Sequence, residues 1–202
     1  MRPRVSSSAL WFSRRQLLSF TLLAGVSCRR ASELPALGNV GKFSLIDQAG
    51  RAVSAETLRG QVWAAAFFFT RCPTVCPRIT RRMRDLQQAA AKGGVKLQLV
   101  SFSVDPDNDT PEVLAAYAKQ YGADLATWRF LTGDLEVIRK TSEQGFKLAL
   151  DGKATPGAKD FGLFHGSHLV LVDGSAQIRG YYRTSEDEQM AQLLKDAAQL
   201  TG

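Results

Sequence analysis

The sequence predicts an α/β domain in which a mixed β-sheet is flanked by helices. An apolar run at 61–70 is followed by a helical pattern and a second apolar run at 95–104. This β-α-β order favours a parallel strand pair with a right-handed crossover. A later apolar run at 168–173 turns at Gly174-Ser175 into a run at 177–182, which is typical of an antiparallel hairpin. The length of 202 residues, with 45% hydrophobic and 22% charged residues, suits one folded domain with a tail.

Residues 1–28 are predicted to be an export signal or anchor. An arginine-bearing start precedes an apolar run at 17–26, which is shorter than the about 20 residues that span a bilayer. The segment 13–18 resembles a twin-arginine signal, and the segment 23–28 resembles a bacterial lipoprotein cleavage site with Cys28 as the lipidated residue. We expect an extracytoplasmic, membrane-associated protein, in the periplasm or on the outer face of the cytoplasmic membrane. Lipidation, simple cleavage and an uncleaved anchor stay open.

The expected folded domain spans 40–202, after a linker at 29–39. The net charge of +7 is modest once the N-terminal segment 1–28 is set aside, because four arginines and no acid lie in that segment and only +3 is left without them. Neither a zinc-finger spacing nor a basic stripe with interleaved aromatics is present, so nucleic acid is not an expected partner. We expect a monomer.

The domain is predicted to open with a hairpin, since 42–47 alternates, 48–50 turns and 51–53 returns. The strand at 61–70 runs into Cys72-Pro73-Thr74-Val75-Cys76-Pro77. Pro77 is expected at the first helical position, where its missing N–H would be unpaired anyway. The helix that follows ends at Gly93-Gly94 and has a basic exposed side formed by Arg78, Arg81, Arg82 and Arg84. These arginines would favour thiolate at Cys76, although for most of them a solvated helix face explains their presence.

The remaining elements follow the same alternation of strand and helix. We expect a helix from 111 to about 121, a short strand at 128–131, a third helix at 134–147, a loop or hairpin insertion at 148–166, and a last helix after Ser185. Asp105, Asp107 and Asp109 alternate like calcium ligands, but the glycine and late glutamate of a calcium loop are missing, so they are expected to be turn and cap residues. The element order is that of a thioredoxin-like domain with additions.

Cys72 and Cys76 are the only cysteine pair of the predicted domain, since Cys28 belongs to the signal. If both lie in a helical turn, their Cα atoms are about 6 Å apart. That falls within the disulfide range of roughly 4.4–6.8 Å, and the helix dipole favours thiolate. The pair could be bridged, free or bound to one metal, and the spacing leaves all three open.

The two histidines, His165 and His168, both lie at the head of the strand at 168–173. In a thioredoxin-like arrangement the loop before this strand faces the cysteine-bearing helix terminus, which puts His165 within reach of both sulfurs. Two thiolates and an imidazole suit copper as Cu(I) or Cu(II), whereas zinc more often has a fourth protein ligand. His168 alternates with Val170 and is expected to be an ordinary edge or core histidine.

The chain resembles the Sco/SenC family of thioredoxin-fold copper proteins over nearly all of 40–200. The segments that carry the resemblance are Phe68 to Pro77, Ser103 to Pro111, Phe130 to Gly133, and His165 followed by Val170 to Asp173. The resemblance implies Cys72, Cys76 and His165 as copper ligands. It also implies a chaperone, rather than an enzyme, that delivers copper to the copper centre of cytochrome c oxidase subunit II or a similar copper-accepting protein.

Two further functions use the same cysteines. A thiol-disulfide oxidoreductase would use Cys72 and Cys76 as a catalytic redox pair that reduces the cysteines of a partner, with His165 only modulating the pKa. An adaptor with a closed structural disulfide is the third possibility. So short a disulfide loop would add little stability through loop-closure entropy.

Overall fold

The computed structural model describes residues 34–148 and 167–202, and the chain from Ser32 onward forms one compact unit. The predicted signal or anchor with Cys28, and most of the predicted insertion with His165, lie outside the described residues. Among the described helices, none is both long and apolar enough to cross a membrane.

The described strands form a single mixed sheet, as predicted. Its order is β1-β8-β7-β4-β5-β6-β2-β3, in which β4, β5 and β6 are parallel neighbours and the other pairs are antiparallel. The strands are β1 Gly38–Asn39, β2 Ser44–Asp47, β3 Ala52–Ser54, β4 Val62–Phe68, β5 Leu97–Ser103, β6 Trp128–Thr132, β7 His168–Val172 and β8 Gln177–Arg183. The two predicted hairpins, β2-β3 and β7-β8, and the parallel pair β4-β5 are all confirmed. Strand β1 falls within the predicted linker and pairs with β8, so the folded part begins slightly before Val40.

Helices cover both faces of the sheet and explain why β4 is apolar throughout. The helices are α1 Val75–Lys92, α2 Pro111–Tyr121, α3 Leu135–Lys140 and α4 Asp187–Thr201. Side chains of α1, α2 and α4, including Met83, Leu114 and Leu193, form the front core on one face. Phe43 and Phe146 belong to the rear core on the other face. Every residue of β4 is buried because its side chains alternate between these two cores.

The predicted third helix at 134–147 is wrong beyond Lys140. The α-helical turns end there, and the chain continues as one π-helical turn, Thr141–Gly145. This wider turn brings Gly145 so close to the backbone of Val40 that a Cβ atom would overlap the Val40 carbonyl oxygen. The fully buried Phe146 follows immediately and packs edge-on against Trp63. Packing of the rear core therefore sets the end of this helix.

The predicted start of α1 is also wrong by two residues. The helix begins at Val75, with Thr74 as its N-cap residue, and Pro77 lies inside the first turn. Proline is tolerated there because the N–H groups of the first turn have no partner within the helix. Cys72 lies in the turn before α1, so the two cysteines do not share a helical turn.

Candidate metal and thiol site

Both cysteines lie at the edge of the sheet where the parallel strands β4, β5 and β6 end. The chain leaves β4 at Phe68, makes a turn in which the Cys72 N–H donates to the Phe69 carbonyl at 3.3 Å, and enters α1. Cys76 is in the first turn of α1 and is only 2% exposed, whereas Cys72 is partly exposed. The carboxyl edge of a parallel sheet is the usual place for a binding site in an α/β fold.

The two cysteines are free thiols, and a hydrogen bond links one to the other. The backbone N–H of Cys76 donates to Cys72 Sγ at 3.4 Å. The Cys72 sulfur thus accepts one of the N–H groups that the start of a helix leaves without an intrahelical partner.

Cys76 is held firmly by the front core. Thr80, one turn further along α1, donates to the Cys76 carbonyl oxygen at 2.9 Å. The Thr80 hydroxyl also bonds the buried Tyr117 hydroxyl of α2 at 2.8 Å. The position of the Cys76 sulfur is therefore fixed by the packing of α1 against α2.

The pKa values of the two thiols diverge. Partial burial opposes ionisation of Cys72, but the N–H groups of Cys76, Thr74 and Val75 outweigh it and hold the pKa of Cys72 below its ordinary value. Burial raises the pKa of Cys76 to about 12, and the nearby negative charges of Cys72 and Asp109 add to this. Cys72 is the partly exposed thiol that ionises first, and Cys76 is the buried thiol that stays protonated.

The loop after β5 supports the turn that carries Cys72. Asp109 is fully buried, and it accepts a hydrogen bond from the Thr70 backbone N–H at 3.1 Å and another from the Thr70 hydroxyl. Ser103 donates to the same carboxylate at 2.5 Å. One residue beyond Thr70, Arg71 forms an ion pair of 2.8 Å with Asp105.

The sequence alone did not reveal this supporting role. Asp105 and Asp109 were expected only to shape the turn, and Asp105 does accept backbone N–H bonds within the turn through its carbonyl oxygen. Two signals could have revealed the role: Ser103, a polar residue at the end of a buried strand, and Thr70, a polar residue between the end of β4 and the cysteines. Their hydroxyls meet at one carboxylate.

The structure separates the four arginines of α1 into two kinds. Arg82 pairs with Asp187 of α4 at 2.6 Å, and Arg84 pairs with Asp85 at 2.7 Å. Arg78 and Arg81 are exposed, and no carboxylate within the described ranges lies at ion-pair distance from either. A solvated face therefore accounts for Arg78 and Arg81 and salt bridges account for the other two.

His168 does not face the cysteines. It precedes Leu169 of the front core and alternates with Val170 and Val172 of the rear core, so it lies on the face of the sheet opposite Cys76. Partial burial and the positive charge of Arg183, its partner on β8, lower its pKa. The expectation that His168 is an ordinary histidine of the sheet agrees with this placement.

His165 lies outside the described residues, so the structure describes only Cys72 and Cys76 of the predicted three-ligand set. Because β7 is antiparallel to β4, β7 begins at the edge where β4 ends. The described chain therefore resumes, at Ser167, on the edge that carries the cysteines. Within the described parts of the chain, no cluster of three His, Cys, Asp or Glu side chains could hold a metal ion.

Comparisons with known proteins converge on one family. The sequence profile of the family described as SCO1/SenC matches residues 32–200. A solved SCO1/SenC family lipoprotein from Bacillus anthracis str. Ames aligns with a TM-score of 0.77 and 32% identity, over 85% of this chain and 100% of that one. The alignment confirms the predicted thioredoxin-like fold.

Two other solved structures are informative about the site. BsSco, described as a member of the Sco family of cytochrome c oxidase assembly proteins in which a disulfide switch was identified, has a TM-score of 0.70 and 32% identity, over 82% of this chain and 97% of its own. ScoI of Bradyrhizobium japonicum was solved with copper bound and has a TM-score of 0.64 and 27% identity, over 79% of this chain and 99% of its own.

Proposed function

Because the chain belongs to the SCO1/SenC family, we propose that it binds copper through Cys72, Cys76 and His165 and delivers it to the copper centre of cytochrome c oxidase subunit II. The observation that supports this most is the pair of free thiols at the carboxyl edge of the sheet, linked by the bond from the Cys76 N–H to Cys72 Sγ. The copper-bound relative from Bradyrhizobium japonicum supports copper as the metal.

The chemistry of the donors fits copper as a cargo. Two sulfur ligands and one imidazole are a soft set that suits Cu(I) and can also hold Cu(II). Both thiols have to lose their protons to bind the metal, so loading releases protons to solvent. Cys72 is partly exposed, which lets an acceptor approach one side of the site and exchange ligands.

The third ligand is proposed from the direction of β7. Ser167 is on the cysteine edge of the sheet, and two residues of chain reach at most about 7 Å, which supports His165 as the proposed third ligand. His168 is a poor substitute because it lies on the face opposite Cys76.

The proposed location is outside the cytoplasm, with the folded part acting as a monomer next to the membrane. The arginine-bearing apolar segment at the N-terminus and the cysteine at position 28 support export and lipidation. The relative from Bacillus anthracis, itself described as a lipoprotein, supports the same arrangement.

Copper analysis of the full chain in two redox states tests the binding. Reduced protein should bind one copper ion per chain, and protein whose Cys72 and Cys76 have been oxidised to a disulfide should bind much less. The loaded chain should then pass copper to the copper domain of subunit II. Equal copper in both redox states would show that the cysteines are not the ligands.

A thiol-disulfide oxidoreductase is the second candidate, and the unequal thiols favour it. An exposed thiol of lowered pKa beside a buried one suits an attacking and a resolving cysteine. The disulfide switch identified in BsSco is in keeping with redox chemistry at such a site. Turnover of a disulfide substrate that is lost in Cys72→Ser but kept in His165→Ala would favour this function.

A further inference from the structure

The turn that leads from β4 to Cys72 is held from one side by a buried carboxylate. Asp109 is fully buried and accepts from the Thr70 backbone N–H, from the Thr70 hydroxyl and from the Ser103 hydroxyl. Two of these three bonds fix a single residue, Thr70, which is two positions before Cys72.

Burial of the Asp109 carboxylate costs free energy, which is unusual for a residue with a purely structural role. Burying a carboxylate costs free energy unless hydrogen bonds or an opposite charge compensate it. Within the described ranges no lysine, arginine or histidine pairs with Asp109, so its compensation comes from the hydroxyl and N–H donors. A charged acceptor forms stronger hydrogen bonds than a neutral one, which suits a residue whose task is to hold a neighbouring segment in place.

An ion pair between Arg71 and Asp105 also holds the turn against the 103–109 segment. Arg71 reaches Asp105 with Nε at 3.1 Å and a terminal nitrogen at 2.8 Å. The Ser103 hydroxyl, which donates to Asp109, also accepts the Asp105 N–H at 3.1 Å. Residues 70–71 are thus joined to the 103–109 segment at two successive positions.

The two cysteines differ in what fixes them. Cys76 is anchored by the helix and by Thr80, and it packs in the front core. Cys72 is in the turn before the helix, so the distance between the sulfurs depends on where that turn is held. On the β4 side, Thr70 and Arg71 hold the turn to the 103–109 segment, and the Cys72 N–H bonds the Phe69 carbonyl within the turn.

We propose that Asp109 is a positioning residue for the Cys72-Cys76 pair, acting through Thr70 to keep the Cys72 sulfur against Cys76. It touches neither sulfur in this role. By holding the turn, Asp109 raises the effective concentration of one thiol at the other. A higher effective concentration favours a metal ion bound by both sulfurs, and it equally favours a disulfide between them. The inference holds for the copper chaperone and for the oxidoreductase alike.

The test measures the exchange equilibrium of the reduced full chain with oxidised glutathione. Both thiols of the protein are oxidised to one disulfide, and one glutathione disulfide is reduced to two glutathione thiols, so electrons and protons balance. The equilibrium constant reports the effective concentration of the two cysteines. Copper is absent, so the outcome is separate from that of the copper experiments.

Thr70→Val and Thr70→Ser are the matched pair. Valine has nearly the shape of threonine but cannot donate to Asp109, whereas serine keeps the hydroxyl. We expect Thr70→Val to lower the equilibrium constant about 3- to 10-fold, a range that corresponds to the usual net contribution of one hydrogen bond, and Thr70→Ser to leave it close to wild type.

Asp109→Asn should lower the constant in the same direction, and Asp107→Asn, in an exposed position of the same loop, should not change it. In the double variant Thr70→Val/Asp109→Asn the equilibrium constant should fall by less than the product of the two single effects. Both substitutions disrupt the same interaction, the bond between the Thr70 hydroxyl and the Asp109 carboxylate. The free energy of unfolding of each variant is measured in parallel.

A purely structural role gives a different pattern. If Thr70→Val and Asp109→Asn lower the free energy of unfolding while the glutathione constant is unchanged or rises, the proposal is overturned. Equal effects of Thr70→Val and Thr70→Ser on the constant would overturn it as well, since the hydroxyl would then not be the cause.

Discussion

At the scale of single residues, the site depends on the inequality of two neighbouring cysteines. Cys72 precedes the helix, is partly exposed and accepts several N–H groups, so its thiolate is stabilised. Cys76 is only four residues further on, but it is buried in the front core, where burial disfavours its thiolate. Position relative to the start of one helix thus gives two identical side chains different chemistry.

This inequality predicts selective alkylation. Since only thiolate reacts, iodoacetamide at pH 7 should modify Cys72 of the reduced folded chain at least about 100-fold faster than Cys76. Peptide mapping by mass spectrometry after timed quenching measures both rates. In urea the two rates should become similar, which is the internal control; similar rates in the folded chain would contradict the assigned environments.

At the scale of elements, short irregular segments determine how helices and strands pack against each other. The π-helical turn after α3 is the clearest example, because Gly145 meets the backbone of Val40 there. The β2-β3 hairpin is another, since Asp47 both ends β2 and bonds the turn residues Ala49 and Arg51.

Gly145→Ala should destabilise the fold. The added Cβ would overlap the carbonyl oxygen of Val40, so the turn or β1 has to move, at a cost of about 1–3 kcal/mol in the free energy of unfolding. Glu143→Ala, at an exposed position of the same turn, should change it by less than about 0.5 kcal/mol. Chemical denaturation of both variants measures the difference, and equal stabilities would show that the close approach is absent.

Asp47 should make the hairpin acid-sensitive. Burial opposes its ionisation, but bonds from the Arg51 backbone and side chain and from the Ala49 N–H outweigh this and lower its pKa below 3.8. A carboxylate whose pKa is lowered by folding stabilises the protein fully above its unfolded pKa, and this contribution is lost as the pH falls through the folded-state pKa.

Asp47→Asn should therefore be less stable than wild type at pH 7, by about 0.5–1.5 kcal/mol, and the difference should shrink as the pH is lowered from 5 toward about 2. Urea unfolding at a series of pH values measures this. Asp85→Asn, at an exposed position, should not show such a trend. A difference that grows on acidification would mean that the sign assigned to the Asp47 shift is incorrect.

At the scale of the whole molecule, hydrophobic pattern predicted most of the fold. The apolar runs predicted β4, β5 and β7, because strands buried on both faces leave a nearly continuous apolar signature, and the turn after β7 predicted the partly buried β8 as its hairpin partner. The positions of the π-helical turn and of the first residue of α1 depend on tertiary packing and on local hydrogen bonds, which periodicity does not contain. Both the sequence pattern and the structure place Cys72 and Cys76 where β4 ends and α1 begins.

The supporting residues were harder to predict than the proposed ligands. Cys72 and Cys76 are recognisable by type and spacing, whereas Asp109 is one of three alternating aspartates and differs from Asp107 only in being buried. Burial of that carboxylate results from the pairing of β4 with β5, which brings Thr70 next to the 103–109 segment. A contact between residues 39 positions apart has no local signature in the sequence.

The most direct test of the proposed copper site compares the two histidines. The full reduced chain is titrated with Cu(II), and the thiolate-to-copper charge-transfer band and the stoichiometry are recorded for wild type, His165→Ala and His168→Ala. We predict that His165→Ala loses or strongly shifts the band, whereas His168→Ala, altered on the opposite face of the sheet, keeps it. An unchanged band and stoichiometry in His165→Ala would contradict the assignment of Cys72, Cys76 and His165 as the copper ligands.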